Sequence, residues 1–301
     1  MLKVAVIGLG KLGSIHLRIY KESKDIEKIY LVDTDKKKLE NHGLPAYSDY
    51  HDLKNKVDLV SIATPTSTHF AIASFFLKNK IPVLVEKPIT KKPKQAEKLV
   101  KLAQKNKTLL FVGHVERYNS AYLKAKETIK NPLFIECHRL SPYPHRSLDV
   151  SVVLDLMIHD LDIILDLAQS KIKKIEAKGV KVLSETEDIA NCRISFKKGC
   201  VANITSSRIS SKKERKIRIF MPNKYISIDY ANQSVEVYQK DKSQISCQTL
   251  KIEKEEPLKK EIGHFIHLVI KKDFDSSYAK AAKDALLAAT KIEKILKINP
   301  S

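Results

Sequence analysis

The first thirteen residues constrain this chain most. An apolar run, LKVAVI, leads directly into GLGKLG. A short buried strand that ends in Gly8, Gly10 and Gly13, with a helical pattern starting at once, is the opening unit of a parallel α/β sheet. Gly8 permits a tight turn, and Gly10 lets backbone approach a pyrophosphate at the helix N-terminus; Leu9, Lys11 and Leu12 complete the loop. Taken alone, the glycine pattern also fits a turn with no ligand. Asp33 argues for a ligand: it lies 20 residues past Gly13 at the end of a second strand (26–33), where a carboxylate takes a ribose diol. Asp33 would repel a 2′-phosphate, and LVDTD contains no arginine, so NAD is favoured and NADP is the less favoured dinucleotide. Lys36, Lys37 and Lys38 work against that preference, since one of them can offset the acid.

The alternation continues, with strands over 57–64, 81–86 and 108–113 and helices over about 68–79 and 92–105. After residue 120 the rhythm changes. A helix reaches about Ile129, a strand covers 133–140, and a polar loop passes Pro142 and Pro144 before a long apolar helix over about 150–168. Residues 175–252 then read as consecutive strands joined by short polar turns, hence antiparallel, followed by helices over 258–271 and 276–297. Two domains of different class are expected, with a boundary near 118–122: a parallel α/β domain over 1–120, and over 121–275 an α+β domain with a mainly antiparallel sheet.

Composition narrows the function classes. The 301 residues are 43% hydrophobic and 30% charged, enough for a sizeable core. No stretch reaches the 18 or so apolar residues that span a bilayer, and MLKVAVIGLG is too short an apolar run for a signal peptide. Cys137, Cys192, Cys200 and Cys247 form no CxxC pair, so reduced thiols in a cytoplasmic protein are expected, without disulfides or zinc. The net charge of +20 invites a nucleic-acid reading, but 47 of the 55 basic residues are lysine and only 8 are arginine. Nucleic-acid readers lean on arginine forks, and here lysine is spread along the chain without an arginine–aromatic stripe, so a solvated surface is the better reading. The spread has one gap: no lysine lies between Lys130 and Lys171, where an even distribution would put about six. Residues 131–170 are therefore expected in a core, an interface or around a site.

ATPTSTH (63–69) follows the third strand. Ala63, Thr64, Pro65 and Thr66 suit a loop packed on a bound nucleotide. Equally, Thr66, Ser67 or Thr68 can cap the next helix, and His69 can be a surface residue. In DVSVVLDLMIHDLDIILDL (149–167) apolar residues cover most of the circumference, yet Asp155, His159, Asp162 and Asp166 recur at i, i+4, i+7 and i+11, one face of a helix. A buried acidic stripe with a histidine needs partners, whereas a stripe facing water does not. No further His or Cys stands at metal-ligand spacing, so no metal is expected.

In this order GLGKLG, Asp33, ATPTSTH, VEKP, VGHVERYN and D-x-x-x-H-x-x-D resemble the glucose–fructose oxidoreductase / inositol dehydrogenase / MocA family over nearly the whole chain. The resemblance implies a Rossmann domain, a second domain with an open antiparallel sheet, and a C-terminal helix (about 276–297) that returns to the first domain. It implies that Lys87 of VEKP reaches nicotinamide and substrate, with Pro88 fixing its backbone through a cis bond and Glu86 beside the nicotinamide ribose; Asp155 and His159 match the family's acid and histidine opposite that lysine. The implied reaction is oxidation of a secondary alcohol, or its reverse. His159 is the candidate base, Asp155 orients it and Lys87 stabilises the alkoxide, though the proton can equally pass to Lys87.

VGHVERYNSAY and the segment around LSPYPHRSLDV look like the branch that oxidises the 3-hydroxyl of UDP-N-acetylglucosamine and in bacteria supplies 3-amino sugars to lipid A. Arg117, Arg139 and Arg146 would then suit a diphosphate, with Tyr118 beside them, unless each arginine is held in a structural ion pair. A free sugar or cyclitol dehydrogenase, or a non-catalytic NAD-binding regulatory protein, are the alternatives. A homodimer or homotetramer is expected through the uncovered sheet face, for which Ala202 and Ile204 of CVANITSSRI offer alternating apolar positions.

Overall fold

Strands that are apolar along their whole length need cover on both faces. In the computed structural model of the chain, which describes residues 1–143 and 150–298, they form a six-stranded parallel sheet. The first unit (residues 1–114 and 258–283) contains β1 (Leu2–Ile7), α1 (Lys11–Glu22), β2 (Ile26–Val32), β3 (Ala46–Tyr47), β4 (Leu59–Ile62), α2 (Thr66–Lys78), β5 (Val83–Glu86), α3 (Pro93–Asn106) and β6 (Leu110–Gly113). The strand order is β3-β2-β1-β4-β5-β6. The direction of winding reverses between β1 and β4, and ligands of such sheets bind in the crevice outside that point. Every residue of β4, β5 and β6 is buried, which is why the sequence there shows no alternation.

The second unit (115–257 and 284–301) contains a 3₁₀ turn (Val115–Tyr118), α4 (Ser120–Lys126), β7 (Phe134–Leu140), a π-helical turn (Val153–Met157) and α5 (Ile158–Ala168). It continues with β8 (Ile172–Val180), β9 (Ile189–Phe196), β10 (Val201–Ser207), β11 (Glu214–Met221), β12 (Lys224–Asp229), β13 (Ser234–Asp241) and β14 (Gln244–Thr249). Its sheet has the order β14-β13-β12-β11-β7-β10-β9-β8 and is antiparallel except for the parallel pair β7–β10. On the covered face Ile135, Cys137, Cys192, Ile194, Ala202, Ile204, Ile217, Ile219, Ile226 and Ile228 are all fully buried in one core with α5. Ala202 and Ile204 therefore belong to that core. The sequence expectation that they line the open face is corrected, since strand residues of equal parity share a face and β10's other parity, Val201, Asn203 and Thr205, is the half-buried one. What the open face carries instead is a cross-strand aromatic ladder. Phe134, Phe220, Tyr225 and Tyr238 lie in register, with successive ring centroids 5.6, 5.1 and 4.3 Å apart.

The chain closes with α6 (Pro257–Lys271) and α7 (Ser277–Ile298). The sequence reading assigns residues up to 275 to the second domain and sends the last helix back to the first. In the structure α6 joins the first unit, where Phe111 of β6 meets Phe265 at 5.6 Å and Tyr278 at 4.9 Å. α7 changes unit at residue 284, and its Ala285, Ala288, Ala289, Ile292 and Leu296 sit in the second unit's core. Small apolar residues over three turns let the helix lie close to that core, a packing choice that periodicity alone does not assign to either domain.

One buried ion pair organises the second unit's 180–188 loop. Asp188 and Arg208 are both fully buried, with Nε donating to Oδ1 at 2.9 Å. Asp188 Oδ2 also accepts the N–H groups of Val182, Leu183 and Ser184. Burial pushes the Asp188 carboxyl up, but the bonds from Ser184, Leu183, Val182 and Arg208 outweigh it and hold the group far below the usual carboxylate range. A depressed folded-state pKa contributes stability above the unfolded value of about 3.9 and loses it as pH falls further. Denaturant titrations from pH 7 downward are expected to show a stability loss setting in below about pH 4. Asp188→Asn, less stable at neutral pH, is expected to show a flatter acid limb.

Candidate functional site

The sequence-predicted cofactor residues converge at the C-terminal ends of β1, β2, β4 and β5. Gly8 has φ +89°, a left-handed value that favours glycine, and a Cβ there would lie 2.8 Å from the Ala63 carbonyl oxygen. A Cβ on Gly13 would lie 1.7 Å from the Gly8 carbonyl oxygen, so α1 begins hard against the turn. Gly10 is different: a Cβ there meets nothing within 4 Å. α1 starts at Lys11 with no side-chain cap and no acid in its first turn. Its first N–H groups and helix dipole are thus offered to an anion above Gly10, with Leu9 buried beneath and Leu12 exposed.

Asp33 stands one residue past β2. Its Oδ2 accepts the Leu9 N–H at 2.7 Å and its Oδ1 the Asp35 N–H at 2.9 Å, so the carboxylate is fixed against the glycine loop with lone pairs remaining on both oxygens. Lys38 Nζ stands 3.8 Å away. An ordered carboxylate beside an uncapped, acid-free helix start fits a dinucleotide: phosphates over Gly10 and a ribose diol on Asp33. Asp33→Ala is expected to weaken NAD binding and narrow the gap to NADP, and the unaltered chain is expected to bind NAD the tighter of the two. Dissociation constants for both dinucleotides check this, and equal or tighter NADP binding would point to Lys38 as the stronger influence.

The loop after β4 does not cap its helix with a side chain. α2 begins at Thr66 behind Pro65, while Thr68 Oγ1 donates to the Pro65 carbonyl at 2.8 Å and lies 2.7 Å from Thr64 Oγ1. His69 is not a surface residue, being only 1% exposed. Its Nδ1 lies 2.9 Å from the Pro88 carbonyl oxygen and its Nε2 2.9 Å from that of Thr64. It therefore sits between the β4 loop and the β5 loop. Burial, outweighing both carbonyls, lowers its pKa; in the neutral ring only one of the two nitrogens carries a proton to donate.

VEKP forms the mouth of β5. Glu86 is 7% exposed, and its Oε2 accepts the N–H of Lys87, which is half-buried; the Lys87–Pro88 peptide is cis. A residue that sequence reasoning missed, His16, reaches Glu86 from α1, with Nε2 at 3.1 Å from Oε1. The signal was available, because His16 falls between Gly13 and Tyr20 on the buried stripe of an otherwise amphipathic helix.

In the second unit the predicted acidic stripe resolves into two kinds of residue. Asp162, 1% exposed, receives Arg117 through Nε and through Nη2 at 2.9 Å, and Asp166 receives Arg117 Nη1 at 3.2 Å together with Tyr122 and Lys126. Asp160, off the predicted stripe, holds Arg139 bidentately at 2.9 Å, and Arg139 also donates to Glu116 at 2.9 Å. Arg117 and Arg139, expected on a diphosphate, are thus held in ion pairs that fasten α5 to the 115–118 turn and to β7. Tyr118 is half-buried in that turn, and Arg146 lies outside the described residues. Asp155 and His159 are both half-buried, Asp155 in the π-helical turn and His159 in the first turn of α5. The wider turn alters the angular offset that a uniform α-helix would give the pair, a feature that recurs at functional sites. Among the described residues no cluster of metal-ligating side chains is present, and no helix is long and apolar enough to cross a membrane.

Comparison with known proteins bears on both units. Residues 2–114 match the oxidoreductase family with an NAD-binding Rossmann fold, and residues 123–227 match the GFO/IDH/MocA C-terminal domain. UDP-N-acetylglucosamine 3-dehydrogenase of Acidithiobacillus ferrooxidans is 33% identical over 240 residues, 79% of this chain and 77% of that protein. The solved structure of that enzyme superposes with a TM-score of 0.92 at 29% identity, covering 99% of this chain and 98% of the other. Myo-inositol 2-dehydrogenase of Thermotoga maritima is 28% identical over 69% of each chain.

Proposed function

Because the chain belongs to the GFO/IDH/MocA family of NAD-binding oxidoreductases, we propose that it oxidises a secondary hydroxyl of a nucleotide sugar, the 3-hydroxyl of a UDP-N-acetylhexosamine. The likeness to UDP-N-acetylglucosamine 3-dehydrogenase along nearly the entire chain carries this reading. In the reaction, NAD held over the glycine loop supplies the hydride acceptor. Lys87 hydrogen-bonds the reacting oxygen and stabilises charge developing on it. His159 removes the hydroxyl proton, and Asp155 orients the imidazole. The 3-keto product is chemically poised for amination, which would place the enzyme in the cytoplasm upstream of a 3-amino sugar for lipid A.

One observation favours a second reading, a free sugar or cyclitol as substrate. Arg117 and Arg139 are committed to carboxylates, so neither guanidinium is offered to a diphosphate. NAD reduction measured across nucleotide sugars, free sugars and cyclitols separates the two. UDP-N-acetylglucosamine is expected to give the highest kcat/KM, and preference for a cyclitol would replace the first reading with the second.

The assembly we propose is a homodimer or homotetramer joined through the open sheet face, supported by the aromatic ladder there. Light scattering is expected to give a multiple of 34.2 kDa at micromolar concentration, and Tyr225→Glu is expected to lower it. A monomer in the unaltered chain would contradict the proposal.

A further inference from the structure

Below the mouth of β5 a row of polar side chains crosses the first unit's core. His16 of α1 and Ser61 of β4 are fully buried, with His16 Nδ1 2.6 Å from Ser61 Oγ. Tyr20, one turn further along α1, is 1% exposed. Burial, offset in part by the Ser61 hydroxyl, pushes its phenol well above the usual range, so it stays a neutral hydroxyl at the foot of the row. At the other end His16 Nε2 stands 3.1 Å from Glu86 Oε1, and the carboxylate's second oxygen accepts the Lys87 N–H. Glu86 is confined on a further side by Gly113 of β6, where a Cβ would lie 2.8 Å from Oε1. Polar groups in a core are costly unless satisfied: the Tyr20 hydroxyl has no hydrogen-bond partner among the described residues, whereas His16 is met at both ring nitrogens. A carboxylate accepts and does not donate, so His16 carries its proton on Nε2. In the neutral ring Nδ1 is then an acceptor, and the Ser61 hydroxyl donates to it.

From this geometry we infer that His16 is a positioning residue for the proposed dehydrogenation. It locks the Glu86 carboxylate, and through it the backbone at Lys87, in one orientation, while Ser61 fixes the imidazole tautomer that makes the lock possible. The inference rests on the reading of Lys87 as the group that meets the reacting oxygen. It adds a fully buried residue, which has no surface to offer a cofactor or substrate. A hydrogen bond that orients an active-site corner matters through geometry, since a displacement of about 1 Å at a reacting group can cost on the order of 10²-fold in rate.

The test combines kinetics with a signal that does not depend on turnover. With NAD and UDP-N-acetylglucosamine, or the sugar that the unaltered enzyme oxidises fastest, His16→Leu is expected to lower kcat about 10- to 100-fold. Its dissociation constant for NAD should stay within about threefold, since the glycine loop and Asp33 are untouched. His16→Gln, whose amide can still donate to Glu86, is expected to recover most of the loss. The double variant His16→Leu/Glu86→Ala should be no slower than Glu86→Ala alone, because each change removes the same bond. Equal losses in His16→Leu and His16→Gln, or losses that multiply in the double variant, would overturn the inference in favour of a packing role. Nitrogen-15 shifts of the His16 ring give the second arm, valid even if His16→Leu folds poorly. Nε2–H is expected in the unaltered chain, and a ring protonated on Nδ1 alone overturns the proposal. Lys87→Ala is the control. If it keeps turnover, the reading of the lysine fails; if it loses turnover beside an unaffected His16→Leu, only the present inference fails.

Discussion

Arg139→Met is expected to destabilise the chain by about 3–5 kcal/mol, a fall in Tm on the order of 10 °C. The side chain is 3% exposed and makes three charged hydrogen bonds, two to Asp160 and one to Glu116, which are themselves 2% and 6% exposed. Although burial opposes its charge, these two carboxylates hold the guanidinium well above its usual pKa, so it is permanently ionised. Methionine fills a similar volume but leaves two buried carboxylates facing each other. That loss is much larger than the desolvation-limited net value of the intact pair. Burial also pushes the Asp160 carboxyl above the usual carboxylate range despite Arg139. In the variant it should rise further. Thermal unfolding with and without NAD checks the size of the effect. A variant of unchanged Tm but raised KM for a nucleotide sugar would show that the arginine serves a diphosphate after all.

Replacing His159 or Lys87 with alanine is expected to remove turnover while leaving NAD affinity largely intact. A positioned proton-transfer group contributes about 10²- to 10⁴-fold in rate, or about 3 to 5 kcal/mol of barrier. Loss of alkoxide stabilisation at Lys87 is of similar size. The polar groups offered to the dinucleotide are the N-terminus of α1 and Asp33, and neither variant alters them. If His159→Ala keeps more than about a tenth of the original turnover, the proton passes elsewhere and Lys87 becomes the better candidate base.

The first unit was the more legible in sequence, for a physical reason. Its function is built from backbone geometry, which glycine announces in a sequence. Gly8 at positive φ and Gly13 against the Gly8 carbonyl are read directly from GLGKLG, and Asp33 follows from strand length. The second unit is built from side chains that meet across long stretches of chain. Arg117 reaches Asp162 and Asp166 over more than forty residues, and no periodicity links them. The stripe on residues 155–166 was visible, but its division into ion-pair anchors and a candidate catalytic pair was not, because the π-helical turn at 153–157 has no sequence signature here. Ala202 and Ile204 show the same limit. Alternation says that two residues share a face and does not say which face is covered. The transfer of α6 to the first unit likewise depends on Phe111 meeting Phe265, a contact between segments about 150 residues apart in a chain of similar apolar helices.

Hydride is expected to pass from a sugar carbon to NAD bound over the Gly8–Gly13 loop. Incubating the protein with NAD and UDP-N-acetylglucosamine deuterated at C3, then analysing the reduced cofactor by mass spectrometry, addresses it most directly. The expected result is one deuterium on the reduced cofactor, a 3-keto sugar as the other product, and a slower rate than with the protiated sugar. Reduced cofactor without deuterium, or no reduction with this sugar or any other nucleotide sugar, would contradict it.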